Sequence, residues 1–268
     1  MSATDTVFAG SIPGLYDRYM GPLLFEPYAQ VVAARAQALQ PARILETAAG
    51  TGIVTAALHD ALPNAEIVAT DLNQAMLDVA AGRIRSDEVS FQQADAQSLP
   101  FPDASFNLVV CQFGVMFFPD KVAANAEAKR VLRLGGRYML VIWDRLDRNL
   151  ATKVAGAAVA ELFPDSAAAF YERIPFRYHD QAMIERDLHS AGFNDIKFET
   201  VELRSRAPSA REAAIGLCQG TPMRAEIEKR GTDALEQATQ CATEALRQFD
   251  GPDGFDAPMA AHIVVATK

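Results

Sequence analysis

The chain has 268 residues, half of them hydrophobic, which supports one substantial core with additions rather than two independent domains. Its 34 acidic against 25 basic residues leave a formal charge of −9, which argues against a nucleic-acid partner because such affinity rests on Lys and Arg displacing counterions. The three cysteines, Cys111, Cys218 and Cys241, show no metal-ligand spacing, so no metal is expected and a reducing, cytoplasmic setting fits. No signal-like N-terminus and no apolar run near the roughly 20 residues of a bilayer span are present, so neither export nor a membrane span is expected.

From Ala42 to Trp143 short apolar runs alternate with helical patterns, which predicts a parallel sheet wrapped by crossover helices. Strands are expected at 43–46, 66–70, 89–92, 107–111 and 138–143, and their unbroken apolar character implies burial on both faces. Asn73 and Asp120 are expected to cap helices, the second of which stops at Gly135 and Gly136. An Ala-rich helix at 150–162, an aromatic loop to Tyr178, a helix at 181–191 and a strand at 195–203 follow, with a last strand at 260–267. The stretch between these two strands is too long to be structureless. Thr221 and Pro222 start one expected helix that Gly231 ends, and a capping-box pattern of Asp233 and Glu236 precedes a second. That second helix would place Leu235, Ala238, Ala242, Ala245, Leu246 and Phe249 on one apolar face, and 250–258 reads as a loop.

The chemistry concentrates in ILETAAGTG, residues 44–52, where a strand ends in an acid and a small-residue turn opens a helix. Ala48, Gly50, Thr51 and Gly52 let backbone approach a ligand, and the helix start offers unpaired N–H groups. Alone, such a turn fits any tight strand-to-helix connection. Asp71 follows at the spacing from which an acid accepts both ribose hydroxyls of an adenosine; a helix N-terminal acid is the alternative, and the position favours the ligand role. Asp95 and Ala96 stand where a side chain and a backbone N–H can meet an adenine, with Leu72 and Met76 on either side of the ring, although Met at helical spacing usually packs on a sheet.

Taken in order, these segments resemble the class I S-adenosylmethionine-dependent methyltransferases, specifically the type 11 group that includes ubiquinone and menaquinone biosynthesis methyltransferases. The resemblance covers ILETAAGTG, VATDLNQAML, ADAQSLPFPDASFNLVVCQFGVMFF and EAKRVLRLGGRYML. It implies an α/β, Rossmann-like seven-stranded, mostly parallel sheet with an antiparallel last strand, plus helical cap insertions. Adenosylmethionine is the implied cofactor and adenosylhomocysteine the product. Glu46 would hold the methionine ammonium, Asp71 the ribose, Asp95 and Ala96 the adenine, with Gln112 also on the cofactor. Gly14 to Gln30 resembles a segment that covers the cofactor in this group, so Tyr16 and Tyr19 would close over its methionine end or else pack that segment on the core. Ala48 and Ala49 stand where Gly-Cys is frequent, Glu46 where Asp is common, and Leu134 where proline is frequent. One domain, 1–268, is expected, with core 36–144, 180–206 and 257–268 and cap elements 7–30, 145–179 and 207–256.

Open α/β sheets bind ligands at the carboxyl ends of their strands, so Phe113, Met116, Phe117, Trp143 and Tyr178 are candidate acceptor contacts. Phe163, Phe170, Tyr171 and Phe176 of the cap add to an apolar or aromatic pocket for a small molecule, or form cap core. Methyl transfer needs positioning more than a base; His179 is the candidate base, and a solvated loop histidine is the plainer reading. Cys111 reads as packing rather than a nucleophile. A nicotinamide-dependent oxidoreductase is the alternative, weakened by Thr55 in the place of a third glycine, and a non-catalytic cofactor-binding protein is another. The exposed side of the cap leaves a homodimer open.

Overall fold

Residues 12–163 and 169–268 are described by the computed structural model. The cap expectations at 7–11 and 164–168 lie outside these residues. The chain divides into two compact units, each discontinuous: one is Tyr28–Trp143 with Tyr178–Val201 and Ala261–Lys268, the other Met1–Pro27 with Asp144–Arg177 and Glu202–Ala260.

A short helix α1 (Ile12–Leu15) runs into a π-helical stretch, Tyr16–Phe25, and then into α2 (Glu26–Leu39). On α2, Tyr28, Val32 and Ala36 recur at helical spacing and are buried, and the Tyr28 hydroxyl donates to the Val201 carbonyl at 2.9 Å. Next come β1 (Arg43–Thr47), α3 (Ile53–Ala61), β2 (Glu66–Asp71), α4 (Gln74–Arg83), β3 (Val89–Gln93), β4 (Phe106–Gln112), α5 (Lys121–Val131) and β5 (Leu132–Trp143). Their alternation pairs β1 with β2 and β4 in parallel, β2 with β3, and β4 with β5. Ile44, Leu45, Leu108, Val109 and Val110 are sealed from solvent, as strands covered on both faces require. The predicted caps form: Asn73 accepts from the Ala75 N–H and Asp120 from the Ala123 N–H.

Beyond Trp143 the helices α6 (Leu150–Leu162), α7 (Ala169–Arg173) and α8 (Gln181–Ser190) precede the long strand β6 (Asp195–Ala207). Then α9 (Ala210–Gln219), α10 (Met223–Glu228) and α11 (Ala234–Leu246) lead into β7 (Asp250–Gly251) and β8 (Gly254–Thr267). The sheet order is β3-β2-β1-β4-β5-β8-β6, with β7 paired to β8. Antiparallel pairing of β8 with β5 gives the expected reversal: seven strands on the main path and one two-residue addition.

Four local expectations are corrected. Gly135 and Gly136 do not end a helix; α5 stops at Val131, and β5 carries both glycines through an irregularity in its pairing with β4. Gly135 takes φ +76°, a conformation open to glycine. The stretch 250–258 is not a loop but a hairpin, tightened at Gly254 (φ +99°), where a Cβ would sit 2.7 Å from the Ala207 carbonyl. Asp233 makes no side-chain cap; the capped start belongs to α9, where Ser209 accepts from the Glu212 N–H. Phe170 and Tyr171 lie on α7 rather than in a loop.

In the second unit α11 packs against α6 and α9, with Ala238, Thr239, Ala242, Thr243 and Leu246 buried; Leu235 and Ala245 are only half-buried. Small residues set the close approach: a Cβ on Gly216 would come within 3.2 Å of Tyr19. Tyr171, buried, donates to the Leu217 carbonyl at 2.7 Å and meets Phe170 and Phe176 edge to face. Among the described residues no helix is long and apolar enough to cross a membrane.

Candidate cofactor site

Parallel strands β1 and β2 carry an acid at their carboxyl ends: Glu46, the last residue but one of β1, pairs in register with Ala69, and Asp71 closes β2. The turn after β1 is held to β2 by backbone, the Ala49 N–H donating to the Thr70 carbonyl at 2.9 Å. It needs small residues. Ala48, Gly50 and Gly52 all take positive φ, and a Cβ on Gly52 would meet that of Ala80 on α4 at 2.8 Å. Thr51 is buried within this turn, and its Oγ1 has no hydrogen-bond partner among the described residues.

Asp71 is fixed by backbone donors. Its Oδ2 accepts the Gly50 N–H at 2.9 Å and its Oδ1 the Asn73 N–H at 2.8 Å. Burial pushes its pKa above the usual carboxylate range, opposed by these N–H groups. The Leu72 N–H adds a third backbone donor; the two oxygens offer roughly four lone-pair directions, so acceptor capacity remains for a ribose hydroxyl. Next to it Leu72 is 63% exposed, an apolar side chain held out beside the acid, while Met76 is buried with its methyl against Gly50. Of the two residues expected on either side of an adenine, only Leu72 presents itself to solvent.

Glu46 is 2% exposed, and its Oε2 accepts the Thr55 hydroxyl at 2.6 Å. Burial pushes its pKa up to about 8, with the Thr55 bond opposing and the Asp71 charge adding. Asp95 lies just beyond β3, its Oδ1 accepting the Gln97 N–H at 2.9 Å. Gln97 in turn accepts the Asp120 N–H, which ties this loop to the start of α5. Arg130 clamps the loop's far side through Glu127, Asp103 and the Leu99 and Phe101 carbonyls.

Gln112 is buried at the end of β4. The following turn comes against the turn after β1: a Cβ on Gly114 would lie 2.4 Å from the Ala48 Cβ and 2.9 Å from the Cys111 Sγ. Phe113 and Trp143 stack face to face at 3.7 Å, and Tyr28 meets both edge on. Met116 is buried and Phe117 half-buried in the 3₁₀ turn Val115–Phe117. Tyr178 is buried, its hydroxyl donating to Asp187 on α8 at 3.0 Å, with Lys121 over its ring. The Cys111 thiol, fully buried, is pushed up to about 11, which leaves it no nucleophilic thiolate near neutral pH.

His179 contributes its backbone carbonyl to a histidine that the sequence did not single out. His262 on β8 is 4% exposed, its Nδ1 beside Thr200 Oγ1 and Gln181 and its Nε2 beside that carbonyl. Tyr16 and Tyr19 belong to the other unit, where Tyr16 stacks on Phe25 and Arg18 lies over Tyr19.

The residues fit a nucleoside that carries an amino acid: one acid for an ammonium, a second for a ribose diol, an apolar side chain for a base, and turns kept narrow at Gly52 and Gly114. The methyltransferase-domain family matches residues 45–140. A demethylmenaquinone methyltransferase of Deinococcus radiodurans is 37% identical over 52% of this chain and 59% of its own length. The ubiquinone/menaquinone biosynthesis C-methyltransferase of Pseudomonas aeruginosa is 32% identical over 59% of this chain and 68% of its own. The chain belongs to the type 11 class I S-adenosylmethionine-dependent methyltransferases. The match thus spans under two thirds of the Deinococcus relative, and a little over two thirds of the Pseudomonas one. The fold agrees: the YcgJ protein of Bacillus subtilis superposes with a TM-score of 0.57 at 19% identity, over 90% of this chain and 98% of that chain. Family membership brings adenosylmethionine as cofactor and sets the nicotinamide alternative aside. The sequence reading gave no role to the Thr55 hydroxyl that holds Glu46 or to the buried His262; only Thr55 carried a signal, as the residue in the third-glycine place.

Proposed function

We propose that this methyltransferase moves the methyl group of S-adenosylmethionine to a small, partly apolar or aromatic acceptor by in-line displacement. The observation that carries the reading is the pair of buried or half-buried acids, Glu46 and Asp71, ending adjacent strands over a turn whose Gly50 N–H is tied to Asp71. When bound, adenosylmethionine supplies a sulfonium-activated methyl. Asp71 would hold the ribose, Glu46 the amino group, and Asp95 with the Ala96 N–H the adenine, beside Leu72; Ala48, Gly50, Thr51, Gly52, Met76 and Gln112 complete the expected contacts.

The chain's part is orientation and exclusion of water, since an already activated carbon needs an aligned nucleophile more than an acid or base. Cys111 takes no covalent role, because burial keeps its thiol protonated. The naming of the relatives for quinone methylation supports a quinol-like acceptor and carbon as the methylated atom. An electron-rich quinol ring makes a dedicated base dispensable, so His179 is assigned none.

The test is transfer of radiolabelled methyl from adenosylmethionine to a panel holding a short-chain demethylmenaquinol, simple catechols and aryl amines. Label in the quinol at carbon supports the reading. Label in an amine alone overturns the acceptor class, and no cofactor binding by calorimetry overturns the whole.

A further inference from the structure

Glu46 and Thr55 stand nine residues apart in the chain, at the end of β1 and in the first turn of α3, and both are sealed from solvent. A threonine hydroxyl near a helix start ordinarily turns to local backbone. Here it instead donates to the Glu46 Oε2 at 2.6 Å, a well-formed side-chain to side-chain hydrogen bond between two buried groups. The titratable groups acting with Glu46 from the neighbouring strands are Asp71 on β2 and Cys111 on β4, and neither supplies positive charge.

We propose that Thr55 is the positioning residue for Glu46, presenting its carboxyl to the cofactor's methionine amino group, and that cofactor uptake near neutral pH releases one proton from Glu46. The proposal rests on the adenosylmethionine reading above. Burial holds the ligand-free carboxyl at about 8, so it carries a proton at pH 6.5. The ligand's amino group, with an ordinary pKa of about 8, is an ammonium at that pH. Its approach supplies the missing positive charge, the O–H bond of the acid breaks, and the proton passes to buffer. Carboxylate and ammonium remain as a pair, and nothing is oxidised or reduced.

The experiment is calorimetric titration at pH 6.5 with S-adenosylhomocysteine in phosphate and in imidazole, buffers of different ionisation enthalpy. The same titration with 5′-methylthioadenosine, which lacks the amino acid, is the control. The expected result is release of about one proton with adenosylhomocysteine and none with methylthioadenosine, the former abolished in Glu46→Gln. Thr55→Val should weaken adenosylhomocysteine about tenfold and leave methylthioadenosine unchanged, with Thr55→Ser restoring affinity. Buffer-independent heat with adenosylhomocysteine overturns the proposal, as does a Thr55→Val loss equal for both ligands. Failure of both ligands to bind wild-type protein overturns the cofactor reading itself, and this proposal with it.

Discussion

The Cβ of Ala48 occupies the space that a side chain at Gly114 would need, 2.4 Å from an ideal Cβ there. The turns after β1 and β4 are therefore packed backbone to methyl. Gly114 has an ordinary φ of −100°, whereas Ala48 sits at +54°, so the strain and the methyl fall on the same residue. Gly114→Ala is expected to destabilise by about 1–3 kcal/mol through overpacking. Adding Ala48→Gly should recover part of that loss, the Cys111 Sγ at 2.9 Å still standing in the way. Denaturant midpoints of the two variants decide it, and a Gly114→Ala midpoint equal to wild type would show that the turns can part.

Stability without cofactor should fall as pH rises. Glu46 has a folded pKa of about 8 against 4.5 for the ordinary group, so the fold prefers the neutral form. The penalty is absent below about pH 4.5, grows between 4.5 and 8, and is then constant. Glu46→Gln should thus stabilise the cofactor-free protein by up to roughly 5 kcal/mol above pH 8 and by little at pH 4. Thermal unfolding of both proteins across this range measures the difference, and parallel curves would contradict it.

Asp71→Asn replaces an acceptor-only group, held by backbone N–H donors, with one whose nitrogen cannot accept. One of the Gly50 or Asn73 N–H groups then loses its partner. Affinity for adenosylmethionine should drop at least about tenfold, with a modest fall in melting temperature. Calorimetry separates the two effects, and unchanged affinity would remove Asp71 from the ribose.

Cys111→Ala is expected to keep the methyl-transfer rate within about twofold, since removing a small buried side chain from packing costs stability rather than chemistry. The wild-type thiol, pushed up to about 11, should resist iodoacetamide at pH 8 in the folded protein. Rapid alkylation at Cys111 under those conditions would refute its burial.

The parallel half of the sheet was legible because Ile44, Leu45 and the Leu108 to Val110 run are apolar without interruption, and because Asn73 and Asp120 are strong caps. The start of β5 was not, since Leu132 and Arg133 continue the helical pattern of α5 and Gly135 has the look of a helix end. The hairpin at β7 and β8 was hidden by Asp, Gly and Pro, residues that mark turns whether or not strands flank them. Glu46 and Asp71 were readable as acids at strand ends, but the Thr55 hydrogen bond is a tertiary fact that no spacing reveals. The aromatic residues after β4 and β5 showed their composition, not their mutual stacking, which buries Phe113 and Trp143 against Tyr28.

The position of β8 between β5 and β6 bears on how the protein is made. Vectorial synthesis delivers β1 to β5 in an unbroken run, yet the neighbour that completes β5 is drawn from residues 261–267, more than 110 residues later. Until that strand leaves the ribosome, the Tyr138 to Trp143 edge has unpaired backbone and highly apolar side chains. A chain that lacks residues 261–267 therefore presents this apolar strand edge to other chains, the kind of edge that pairs wrongly.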